Sequence, residues 1–97
     1  MNQKHYYVYI VTNKNNTVLY TGVTSRISER IWEYKDKKDM KSFTARYRLS
    51  KLVYLEDYND VRDAITREKQ IKKGSRNKKI EMIKNMNPKW KDLSEDL

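Results

Sequence analysis

Ninety-seven residues suffice for one compact domain with a modest core and leave no room for a second recognition domain. Twenty-two Lys and Arg against 13 Asp and Glu give a net charge of +9, which points to a polyanionic partner, although basic residues also serve solubility. The lack of cysteine excludes disulfides, thiolate zinc sites and cysteine nucleophiles, and a single histidine, His5, excludes a histidine-rich metal site.

Tyr6 to Thr12 and Thr17 to Val23 are rich in aromatic and β-branched residues, with the polar run Asn13 to Asn16 between them. That pattern predicts a β-hairpin. Alternation places Tyr7, Tyr9 and Val11 on one face of the first strand, and Val18, Tyr20 and Gly22 on one face of the second. Thr24 or Ser25 can cap a helix carrying Ile27, Ile31 and Tyr34 as a buried stripe, with Arg30 on its flank. Asp36 to Lys51 reads as a basic loop, with a short turn of helix at most. The apolar run Leu52 to Leu55 suits a third, central strand.

Asp60, followed by Asp63 three residues on, resembles a capping box and predicts a second helix that ends near Gly74. Ser75 can cap a third helix with Ile80, Ile83 and Met86 on one side, broken by Pro88; Trp90 and Leu93 should fold the tail back. The order β-β-α-β-α-α describes a single α+β domain on a small, mainly antiparallel three-stranded sheet flanked by helices. The N-terminus is polar and no apolar run nears the roughly 20 residues that span a bilayer, so the expectation is no membrane and a cytoplasmic location.

The second helix carries an anomaly. Val61, Ala64, Ile65 and Ile71 define its apolar side, and Glu68 falls about 20° from Val61 on that side. A buried, unpaired carboxylate is costly, so Glu68 must meet an arginine, a hydrogen-bond network, a metal ion or a wet cleft. From residue 67 to 91 there are ten basic side chains against Glu68 and Glu81, so nearly all the excess charge lies here. Such a run can be an ordinary solvated face. Cations beside one odd acid are also what a phosphate-cleaving site needs.

Tyr7-Val8-Tyr9 followed by Tyr20-Thr21-Gly22 resembles the two short motifs that name the GIY-YIG nucleases. Arg30 and Tyr34 follow on the next helix and Glu68 on a later one, so five positions occur in that family's order. The resemblance covers nearly the whole chain and is similar in wording to small single-domain bacterial members. The glycine and isoleucine of the first motif are here Tyr7 and Val8, and the isoleucine of the second is Thr21.

The resemblance implies a metal-dependent endonuclease that hydrolyses a nucleic-acid phosphodiester, in DNA as the first choice with RNA left open, with structure-dependent or weak sequence specificity. It implies catalytic roles for Tyr9, Tyr20, Arg30, Tyr34 and Glu68. Tyr20 or Tyr9 would help deprotonate water, Arg30 would hold a phosphate oxygen, and Tyr34 would bond the phosphate or the leaving oxygen. Glu68 would hold one divalent ion, Mg²⁺ or Mn²⁺. Gly22 supports the site, and an organising asparagine is Asn87, with Asn77 and Asn85 as rivals. Lys37, Lys38, Lys41, Arg46 and Arg48, together with Lys72, Lys73, Arg76, Lys78 and Lys79, should track the nucleic-acid backbone, and Phe43 or Tyr47 can stack on a base or pack under the loop. So small a nuclease leaves room for an accessory protein that targets or activates it. Two other readings are a catalytically silent nucleic-acid-binding module and a basic protein-interaction domain of the same fold.

Overall fold

Strand β1 (Tyr6–Thr12) lies in the middle of an antiparallel three-stranded sheet, between β2 (Leu19–Thr24) and β3 (Lys51–Tyr58). The structure is a computed structural model that describes residues 4–36 and 46–97. Lys37, Lys38, Lys41 and Phe43 lie outside the described residues. Helix α1 (Ile27–Asp36) follows β2, and α2 (Val61–Lys73) and α3 (Arg76–Met86) follow β3. A 3-10 turn at Leu93–Asp96 closes the chain. This is the expected β-β-α-β-α-α order.

The sheet is covered on both faces. Tyr9, Val11 and Leu52 meet Ile27 and Ile31 of α1 on one side, whereas Val8, Ile10, Val53 and Tyr54 meet Ala64, Ile71 and Ile83 on the other. A strand between two layers must be apolar at successive positions, and Val8 to Val11 are all buried. The central strand is therefore β1, which corrects the reading of Leu52 to Leu55 as the middle of the sheet. The short apolar run in β3 has a different cause. Ile10 faces Tyr54 and Val11 faces Leu52, so Val53 is an extra residue, and this bulge turns Val53 and Tyr54 to the same face.

Local signals set the turns and helix ends. In the hairpin, Asn13 Oδ1 accepts from Thr17 N at 2.8 Å and Val18 N at 3.1 Å, while Asn16 takes the left-handed conformation at φ 59° that asparagine tolerates. Asp60 caps α2 by accepting from Arg62 N, and Ser75 caps α3 by accepting from Lys78 N at 3.1 Å. Gly74 does end α2, but with extended backbone rather than a left-handed turn, because Ser75 starts the next cap at once. Leu49, fully buried under the α1 face, anchors a segment that reads as polar loop in the sequence. Of the stripe expected on α3, Ile83 is buried but Met86 is exposed; Met82 packs instead. The tail folds back as expected, with Trp90 on one cluster and Leu93 on the other.

Candidate active site

Tyr9 projects from β1 toward α1, directly across from Gly22 on β2. A Cβ at position 22 would land on the Tyr9 hydroxyl and its ring carbon, so the missing side chain is what lets the phenol cross the neighbouring strand. There the Tyr9 and Tyr34 hydroxyls share a hydrogen bond of 2.5 Å, with their rings tilted by 51°. Arg30 and Tyr34 are four residues apart on α1 and hence adjacent on its surface. The guanidinium stands beside the Tyr34 hydroxyl and within the field of Tyr9. Tyr20 is on the same face of the sheet, half-buried, and within electrostatic reach of both phenols. Four of the five residues singled out in the sequence therefore meet on the α1 side of the sheet.

Burial pushes the Tyr9 phenol far above the ordinary tyrosine range, and its bond to Tyr34 pushes the same way. Burial raises Tyr34 as well. Desolvation works against the Arg30 charge, but the facing phenols hold its pKa above the usual value. Burial and the bond to Tyr34 thus favour the protonated form of Tyr9.

Glu68 comes from the other layer. Val61 and Ile65 are about two-fifths exposed, so the buried side of α2 is narrower than the sequence pattern implies and is centred on Ala64 and Ile71. Glu68 stands on its flank rather than at its centre, with its side chain 14% exposed. Its partner is not an arginine. Lys72, one turn on, places Nζ 3.0 Å from Glu68 Oε2 and 5.9 Å from the centre of the Tyr20 ring. Lys72 thereby links the carboxylate on α2 to the tyrosine cluster on the opposite face, around the edge of β2.

Arg67 has a different use. Its Nε donates to both Glu56 oxygens at 3.0 and 3.2 Å and its Nη2 to Oε2 at 3.1 Å. Glu56 also accepts from the Tyr54 hydroxyl, and from the Tyr58 hydroxyl at 2.6 Å. This network takes up the arginine that a structural Glu68 pair would have used. The alternation Tyr54, Glu56, Tyr58 on one strand face is the sequence signal for it.

The model of the GIY-YIG catalytic domain matches residues 5–81. The chain belongs to the GIY-YIG family. It is 41% identical over 78 residues to a UPF0213 protein of Syntrophus aciditrophicus (strain SB), covering 80% of this chain and 88% of that one. A UPF0213 protein of Staphylococcus haemolyticus (strain JCSC1435) is 42% identical over 80 residues, covering 82% of this chain and 94% of its own. One of Clostridium perfringens (strain 13 / Type A) is 34% identical over 91 residues, covering 94% and 96%. No solved structure matches the chain. Membership in the GIY-YIG family carries a nuclease-type function and nucleic acid as the class of partner.

The outer residues of this GIY-YIG domain divide by role. Asn87 is buried, with Nδ2 donating to Val53 O at 3.2 Å and Lys91 O at 2.7 Å, and Oδ1 accepting from Lys91 N at 3.0 Å. Its amide ties the end of α3 to β3 and the tail, and none of these partners belongs to the tyrosine cluster. Asn77 and Asn85 are exposed. Arg76 Nη2 donates to Thr17 O at 2.9 Å, pinning the hairpin turn to the start of α3. Lys73, Lys78, Arg46 and Arg48 are exposed, Lys79 is half-buried, and Arg48 and Trp90 adopt positive φ. Among the described residues no helix is long and apolar enough to cross a membrane.

Glu68 offers a metal one carboxylate, and the described residues contain no cluster of three or more His, Cys, Asp or Glu. A single, largely buried carboxylate suits a hard divalent ion that keeps most of its water and shares phosphate oxygens with a substrate. The Lys72 ammonium already lies on that carboxylate.

Proposed function

We propose that this protein is a divalent-metal-dependent endonuclease acting on DNA, with structure-dependent or weak sequence specificity. The observation that carries the reading is the convergence of Tyr9, Tyr20, Arg30 and Tyr34 on one face, with Glu68 joined to Tyr20 through Lys72. Glu68 would hold one Mg²⁺ or Mn²⁺, which when bound supplies Lewis-acid stabilisation of a phosphoryl oxygen.

The remaining chemistry falls to the chain itself. Tyr20 is the better base of the two motif tyrosines, because Tyr9 is buried and committed to Tyr34. A phenol accepts a proton from water only in its ionised form, which a neighbouring cation favours, and Lys72 Nζ lies 5.9 Å from the Tyr20 ring centre. The water oxygen bonds to phosphorus as its proton passes to the ionised Tyr20, and the bond from phosphorus to the leaving oxygen breaks, that oxygen keeping the electron pair and taking a proton from solvent. Arg30 holds a non-bridging oxygen and offsets the charge gained in the transition state. The Tyr9–Tyr34 pair fixes the guanidinium from behind. Lys73, Lys78 and Lys79 contact the substrate backbone, and the cysteine-free chain suits a reducing, cytoplasmic setting.

The test is a cleavage assay over flap, nicked, branched and single-stranded DNA and matching RNA, with Mg²⁺ or Mn²⁺. Glu68→Ala should abolish cutting while the fold and binding persist. If Arg30→Ala and Glu68→Ala both cut at the wild-type rate, the site is wrong; salt-sensitive binding with no cleavage under any metal favours a silent binding module.

A further inference from the structure

We propose that Lys72 is a built-in competitor for the metal position, holding the Glu68 carboxylate until a divalent ion displaces it; this rests on the reading of Glu68 given above. A Glu and a Lys four residues apart on a helix pair readily in solvent, and such pairs are commonplace. This one differs in two respects. The Glu68 side chain is only 14% exposed, and the ammonium 3.0 Å away is its counter-ion. Lys72 is itself 48% exposed, with its Nζ 5.9 Å from the Tyr20 ring centre, so it has open solvent into which to turn and an aromatic face to turn along.

A divalent ion on Glu68 and an ammonium on the same carboxylate repel each other. One must leave, because a single carboxylate cannot offset three positive charges. The neutral resting state is therefore the Glu68–Lys72 pair. Ion binding releases Lys72 beside Tyr20, where an incoming phosphate would meet it. Ion and polyanion then reinforce one another: each removes the reason for Lys72 to return.

The signature is an affinity change opposite to what loss of a helpful site residue produces. Terbium(III), an oxygen-seeking ion whose luminescence a nearby tyrosine sensitises, is titrated into the full chain without nucleic acid, with thermal melting as a check of folding. Lys72→Met should bind terbium at least three-fold more tightly than wild type. Lys72→Arg, which keeps the charge, should bind no more tightly than wild type, and Glu68→Gln should lose the sensitised signal. Equal or weaker binding by Lys72→Met overturns the competition even where Glu68→Gln loses the ion, and the metal role of Glu68 then stands. If Glu68→Gln binds like wild type, or if no variant exceeds the Glu68→Gln background at millimolar terbium, the metal reading and this inference both fall.

Discussion

Gly22→Ala adds one methyl group at the place where β2 passes beneath Tyr9. Gly22 has no positive φ, so alanine meets no backbone strain there, and the whole effect should come from contact with the phenol. The atom struck is not the end of a mobile side chain, since Tyr9 is 1% exposed and its hydroxyl is fixed on Tyr34 at 2.5 Å. Overpacking of this kind costs about 1–3 kcal/mol, and loss of the hydrogen bond adds about 1 kcal/mol. Replacing a strand glycine returns roughly 0.5–1 kcal/mol. The balance is a destabilisation of about 1–3 kcal/mol, or a fall in Tm of at least about 5 °C for a chain of this size. Thermal melting measures it, and a cycle with Tyr9→Leu isolates the cause: with the phenol gone, Gly22→Ala should cost at least about 1 kcal/mol less. If Gly22→Ala melts at or above wild type, the crossing of Tyr9 over β2 is not what requires glycine.

Arg30→Ala should slow cleavage by roughly 10²–10³-fold, the scale for removing one preorganised transition-state donor, with melting little changed because Arg30 lies on the exposed flank of α1; a large fall in Tm would recast it as structural. Asn87→Ala strands Val53 O and the backbone of Lys91, at a cost of about 2–4 kcal/mol in urea unfolding, while the folded fraction keeps its cleavage rate; loss of rate without loss of stability would return Asn87 to the site. Burial, and then hydrogen bonding to Glu56, pushes Tyr54 and Tyr58 up to about 12. Unfolded tyrosine ionises near 10, so their contribution is intact below about pH 10 and is lost as pH rises toward about 12. Denaturant midpoints across that range, with phenolate absorbance alongside, should fall in wild type and fall less in Tyr54→Phe; parallel curves would count against the network.

What was legible in the sequence was either local or ordered. The hairpin turn, the caps at Asp60 and Ser75 and the helix boundaries depend on residues within one turn of each other, so their chemistry is readable in place. The cluster of Tyr9, Tyr20, Arg30 and Tyr34 was legible through the order of the GIY-YIG motifs; alternation by itself placed only Tyr9 and Tyr20 on faces that could meet. Choices among chemically equal partners were not legible. Arg67 and Lys72 flank Glu68 in sequence, yet only the approach of β3 to α2 sends Arg67 to Glu56 and leaves Lys72 for Glu68. The apolar run Leu52 to Leu55 read as the central strand, whereas packing on both faces gives the centre of the sheet to β1, with the bulge at Val53 explaining the run in β3. Tyr9 and Tyr20 are the same residue type on neighbouring strands; one is buried and the other half-buried because depth beneath α1 is a property of the assembled layers, absent from any stretch of the chain.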